Sequence, residues 1–135
     1  MMNVFFFPGE TTTLVPAGIE VEGKVTKIFN HAVPASNGLI YYTDSSTNYY
    51  VHEGVGELFG APSGRVLVYD PAANKSHVLV DGVHFTNGIM LSPNEDYILY
   101  SESFQYRIMK YWIDGPKKGR KLEKLNLNSS KYHET

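Results

Sequence analysis

The amino-acid sequence predicts an all-β chain, on three observations. Short β-branched and aromatic runs are punctuated by turn residues throughout, helical spacing of apolar residues is hard to find, and the runs recur as an internal repeat. Several runs are apolar at consecutive positions, the pattern of strands in sheets covered on both faces.

The N-terminal run, Val4 to Phe7, stops at Pro8-Gly9, and Met1-Met2-Asn3 carries no basic residue. This is less than a signal-peptide core or a membrane span needs. The chain as written reads as soluble and without an address, as a truncated parent would. Strands are then expected at Leu39-Ile40-Tyr41-Tyr42-Thr43, after the turn Asn37-Gly38, and at Val66-Leu67-Val68-Tyr69, before Asp70-Pro71. His77-Val78-Leu79-Val80 follows, closed by Asp81-Gly82. Tyr97-Ile98-Leu99-Tyr100 and Ile108-Met109-Lys110-Tyr111-Trp112 complete the set, flanked by Ser92-Pro93-Asn94 and Asp114-Gly115-Pro116.

The repeat organises these strands. Val25 to Asn30 resembles Gly82 to Asn87, and Leu39 to Asp44 matches Ile98 to Glu102 at an offset of about 58 positions. Arg65 to Tyr69 matches Arg107 to Tyr111 at only about 42. The difference places an insertion between Asp44 and Arg65. Each unit reads as four strands: one just after an asparagine, one ending at an acid, one beginning at an arginine, and a fourth at Ser76 to Val80 or Lys121 to Leu127. Four-stranded antiparallel units at this period are blades of a β-propeller. The division expected is 1–29 for the end of a preceding blade, 30–81 and 82–127 for two blades, and 128–135 for a tail. A closed propeller uses about four to eight blades, so missing blades or self-association are needed to complete the ring.

Composition narrows the function classes. The 135 residues are enough for one globular domain, and 13% aromatic content is too much for a disordered tail. A formal charge of −2 gives no overall field for nucleic acid or an anionic membrane. The absence of cysteine excludes disulfides, a thiolate nucleophile and a Cys-based zinc site.

Three stretches carry a resemblance: Gly64-Arg65-Val66-Leu67-Val68-Tyr69-Asp70-Pro71, Val80 through Asn87-Gly88 to Ser92-Pro93, and Arg107 through Tyr111-Trp112 to Lys118-Gly119. With Gly23-Lys24, Phe29-Asn30 and Tyr41-Tyr42-Thr43-Asp44-Ser45-Ser46 upstream, the chain resembles the strictosidine synthase-like family over about residues 19 to 127. That family is similar to the six-bladed calcium-dependent hydrolases, paraoxonase, gluconolactonase and the phosphotriesterases. The resemblance implies a six-bladed propeller, and a calcium ion in its channel held by a Glu, two Asn and an Asp from four blades. Hard dications take six to eight oxygens, which suits neutral amide carbonyls beside carboxylates.

Asn30 and Asn87 fall at the family's two asparagines and are the candidate calcium ligands. From spacing alone, each reads first as a turn asparagine bonding its own backbone; the resemblance is what favours the ligand reading, for Asn87 above Asn30. The family usually has Asp after the first asparagine, where this chain has His31, and the Glu and Asp ligands have no matching position, so the site is incomplete. The resemblance implies a calcium-dependent esterase or lactonase acting on a small-molecule ester or lactone, inactive as this fragment. One alternative is a non-catalytic propeller that binds or scaffolds. The other, an amine–aldehyde condensing synthase, is disfavoured because the last-blade glutamate it needs lies beyond these blades. Relatives usually enter the secretory pathway or vacuole or carry a membrane anchor, and this chain shows no leader or anchor.

His52-Glu53, in the insertion, are channel-mouth candidates. His77 and His84 read as surface or packing residues, and His31 and His133 complete the histidines. Asp44-Ser45-Ser46 lacks a nucleophile elbow and reads as a strand-ending acid with serine turn caps. The basic run Lys117, Lys118, Arg120, Lys121 and Lys124 has no interleaved aromatics for nucleic acid and reads as a solvated turn. Asn74-Lys75-Ser76 and Asn128-Ser129-Ser130 are glycosylation acceptors if the chain is secreted.

Overall fold

The computed structural model describes residues 18–120 in full and residues 2–6, 13–17 and 123–124 as backbone. Strands β1 (Met2–Phe6) and β2 (Thr13–Ala17) form an antiparallel pair. A second small hairpin joins β3 (Glu20–Val21) to β4 (Lys24–Val25). Its two-residue loop, Glu22 and Gly23, has φ of 50° and 79°, the left-handed pair that a tight hairpin matched to strand twist requires.

Two four-stranded antiparallel sheets follow. The first runs in chain order through β5 (Phe29–Pro34), β6 (Ile40–Asp44), β7 (Gly64–Asp70) and β8 (Lys75–Val83). The second runs through β9 (Thr86–Leu91), β10 (Tyr97–Glu102), β11 (Arg107–Trp112) and β12 (Glu123–Lys124). A 3-10 helix (Val51–Leu58) occupies the insertion between β6 and β7, and a shorter one (Ser103–Gln105) stands at the corresponding place between β10 and β11. The fourth strand expected over Lys121 to Leu127 pairs with β11 at Glu123 and Lys124, and its last residues lie outside those described.

The consecutive apolar positions have a direct explanation. All five residues of β6 are buried, because the first sheet is covered on both faces. One face carries Ala32, Ile40, Tyr42, Leu67 and Tyr69, closed by Val21 from β3. The other carries Tyr41 and Val66, which pack with Val83 against Ile89, Ile98, Tyr100 and Met109 of the second sheet. The two sheets are consecutive blades of a β-propeller, with inner strands β5 and β9 side by side.

Candidate functional site at the inner strands

Both inner strands begin irregularly. The pairing of β5 with β6 shifts register between Phe29 and Ala32, and the pairing of β9 with β10 shifts near Tyr100 and Glu102. In regular pleating, successive side chains take opposite faces; the irregularity leaves Asn30 and His31 both exposed at the start of β5. Asn87 is exposed at the start of β9.

The segment Thr43-Asp44-Ser45-Ser46 supports this end of the sheet by strict alternation. All four residues are fully buried. Thr43 and Ser45 turn toward the next blade: Thr43 Oγ1 donates to the Asn87 carbonyl at 2.6 Å, and Ser45 Oγ donates to the Thr86 carbonyl. Thr86 Oγ1 returns a bond to the Asp44 carbonyl at 2.7 Å. The Asn30 amide donates to Ser45 Oγ at 2.9 Å, which fixes its orientation, and its carbonyl oxygen has no hydrogen bond among the described residues. His31 Nδ1 accepts the Ile89 N–H at 3.1 Å, a link between the two inner strands.

Asp44 and Ser46 face the other way. Asp44 accepts from the Ile28 N–H at 3.0 Å and from Arg65 Nη2 at 3.0 Å, and Arg65 also donates to the carbonyls of Val21 and Lys24. Burial pushes the Asp44 carboxyl up to about 6, against the lowering pull of Arg65 and the Ile28 N–H. The second blade repeats the device. Glu102 accepts from the His84 N–H at 3.0 Å and pairs with Arg107 at 2.5 Å. Each acid thus holds the backbone just before an inner-strand asparagine.

Ser46 Oγ accepts from the N–H groups of Asn48 and Tyr49, so the turn-cap reading holds for Ser46. Ser45 instead joins the blades. Buried completely, neither serine is placed as a nucleophile. Ser46 also donates to Glu57, a fully buried carboxylate that accepts from the Ser63 N–H and hydroxyl as well. Sequence reasoning missed Glu57, Thr43 and the acid–arginine pairs. The recurrence of acid and arginine in both units was the available signal.

The remaining candidates lie apart from this network. Glu53 Oε2 accepts the Tyr50 N–H at 3.3 Å and caps the 3-10 helix, while His52 stacks on Tyr50. A Cβ at Gly54 would stand 3.8 Å from Phe85 and 3.9 Å from Ile28, so the insertion sits beside the starts of the inner strands. No hydrogen bond joins His52 or Glu53 to Asn30 or Asn87 among the described residues. His77 is exposed 3.8 Å from Glu22, an acid contributed from beyond its own strand. Asn74 is exposed in its turn with φ 49°, its side-chain carbonyl accepting from the Tyr69 hydroxyl. Lys117 lies over the Trp112 ring. Asn128, His133, Lys121 and the side chain of Lys124 lie outside the described residues.

Two amide oxygens fit only a fraction of a calcium shell. No group of three or more His, Asp or Glu able to hold a metal occurs among the described residues, and no helix there is long and apolar enough to cross a membrane.

The family model described as strictosidine synthase matches residues 31–116. The chain is 40% identical over 113 residues to adipocyte plasma membrane-associated protein Hemomucin of Drosophila melanogaster, covering 81% of this chain and 20% of that protein. It is 36% identical over 108 residues to strictosidine synthase-like 13 of Arabidopsis thaliana, covering 77% and 26%. Human adipocyte plasma membrane-associated protein is 33% identical over 112 residues, covering 82% and 27%. The chain therefore spans about a fifth to a quarter of the length of these relatives.

Proposed function

The chain belongs to the strictosidine synthase family, and from that premise we propose that it supplies two blades of a propeller hydrolase, contributing Asn30 and Asn87 to a channel calcium site that acts on an ester or lactone. One observation carries this reading: Asn30 and Asn87 are exposed at the starts of neighbouring inner strands, and the Asn30 amide is held by Ser45 with its carbonyl oxygen free among the described residues. In such an enzyme the ion would polarise the scissile carbonyl and lower the pKa of a bound water. This chain's own part is to position two neutral ligands; its described residues complete neither the shell nor a proton-transfer pair.

Terbium luminescence on the purified chain tests this. Binding weaker than the roughly millimolar dissociation constant of complete low-affinity sites, competed by calcium and lost in Asn87→Ala, is expected, together with no hydrolysis of phenyl acetate by the chain alone. Terbium binding unaffected by both Asn30→Ala and Asn87→Ala would remove the basis for the proposal.

A non-catalytic binding propeller is the second reading. It is favoured by His31, which replaces the acid usual at that position and whose Nδ1 is committed to the Ile89 N–H.

A further inference from the structure

The His31 imidazole has two nitrogens, and the fold uses one of them. Strand β9 is the end strand of its sheet, so its N–H groups alternate between β10 and a free edge. The Ile89 N–H leaves on the free edge and reaches His31 Nδ1 at 3.1 Å. The imidazole therefore stands at the inner edge of β9, between the two inner strands that border the propeller channel. It is anchored through its main chain as well: the His31 N–H donates at 3.2 Å to the hydroxyl of Thr43, which is fully buried. Yet the residue is exposed, and Nε2 has no hydrogen bond among the described residues.

The bond at Nδ1 decides what Nε2 can do. A neutral imidazole has one N–H and one lone pair, and the nitrogen that accepts leaves the proton on the other. With Nδ1 accepting from Ile89, Nε2 is an N–H donor. To ligate a metal through Nε2, the imidazole would need its proton on Nδ1, facing the Ile89 N–H at 3.1 Å with no acceptor between them. His31 therefore does not stand in for the acid usual at its position: it donates where the acid accepts. Asn30, the preceding residue, has its amide N–H spent on Ser45 and presents an oxygen. Gly88, just before Ile89 on β9, has no side chain to stand over the imidazole.

We propose that His31 is a ligand contact, binding a carbonyl or carboxylate oxygen of a small acyl compound through Nε2–H. A donor fixed at both its side chain and its backbone loses little freedom on binding, the condition for holding such an oxygen in one orientation. This role deepens the hydrolase reading by naming the group that would hold the acyl oxygen, and rests on that reading only in taking the strand starts as the ligand site.

Nitrogen NMR of isotope-labelled histidine side chains tests this. His31→Phe identifies the His31 resonances, which are expected to show the Nε2–H tautomer. Phenyl acetate and, separately, acetate are then titrated into the chain with no metal added. Each is expected to shift the Nε2 resonance of His31 saturably and to leave those of His77 and His84 in place. A response to acetate alone would assign the contact to carboxylates, and one to phenyl acetate alone to neutral esters. The decisive comparison is the chain carrying a methyl group on Nε2 of His31, made by semisynthesis, which keeps the Nδ1 lone pair and loses the donor. It is expected to keep the slow amide exchange of Ile89, which His31→Phe loses, and to bind the ligand about two- to tenfold more weakly, the worth of one hydrogen bond. An Nδ1–H tautomer, no response to either compound, or equal affinity of the methylated and unmodified chains would each overturn the proposal. Terbium is absent throughout, so a chain that gives these responses but binds no terbium would lose the calcium site and keep His31 as a ligand contact.

Discussion

Arg65 is the largest fully buried side chain among the described residues, and its two terminal nitrogens serve Asp44, Val21 and Lys24 while Nε has no partner. Removing one member of a buried pair leaves the other's charge uncompensated. Arg65→Met is expected to destabilise the chain by about 3–5 kcal/mol, read as a lowered urea midpoint, with part of the loss recovered when Asp44→Asn is added. Arg107 is partly solvated while its partner Glu102 is buried, so Arg107→Met is expected to cost less than Arg65→Met, about 1–3 kcal/mol. The pair also sets a pH dependence. The folded Asp44 carboxyl is raised above its unfolded value to about 6. Its contribution to stability is therefore fully present below the ordinary carboxylate range and is lost as pH rises through about 6. Urea midpoints followed from pH 4 to pH 7.5 are expected to show this decline, and Asp44→Asn to remove it; an unchanged profile in the variant would refute the assignment. Both acids and both arginines were legible in the sequence as landmarks of the repeat. Their pairing was not, because Asp44 and Arg65 are 21 residues apart and meet only through the register of β6 on β7.

At the scale of elements, β7 depends on its first residue. A Cβ at Gly64 would stand 2.6 Å from the Val83 carbonyl, 3.0 Å from the Ser45 carbonyl and 3.1 Å from the Thr86 N. These are backbone atoms from three segments, with no side chain that could move aside. Gly64→Ala is expected to cost about 1–3 kcal/mol and to loosen the blade–blade junction, visible as faster amide exchange at Thr86 and Val83. The insertion answers to a different residue. Glu57→Ala would orphan the Ser63 N–H and leave the Ser46 and Ser63 hydroxyls only each other to donate to, at about 1–3 kcal/mol, and exchange should accelerate over Val51–Leu58 while β6 and β7 stay protected. Uniform acceleration over the whole sheet would show that Glu57 is a general core residue instead of an anchor. The sequence identified the insertion by its length, through two unequal repeat offsets. Its internal structure was hidden because the glycines at 54 and 56 break any apolar period, and the acid at 57 gives no local sign of facing inward.

The whole molecule is asymmetric in how its sheets are covered, and the repeat says why. Tyr41, Thr43 and Val66 of the first sheet are buried under the second; Leu99, Ser101 and Ile108 hold the equivalent places in the second sheet and line an open hollow of about 330 Å³ with Met90, which is 57% exposed. By equivalence with Thr43, Ser101 is placed to donate to a carbonyl of a further inner strand. The face is a blade seat of the same pattern as the one β9 fills, consistent with a chain that covers about a fifth to a quarter of its relatives. Without that neighbour, apolar surface of this kind associates with whatever apolar surface is offered. Purified chain is therefore expected to show a sedimentation coefficient that rises with concentration, and Ile108→Lys, which charges the centre of the seat, to hold it monomeric without lowering its urea midpoint by more than about 1 kcal/mol. Association unaffected by Ile108→Lys would move the contact elsewhere, either to the exposed 3-10 segment or to the sheet edge at β12.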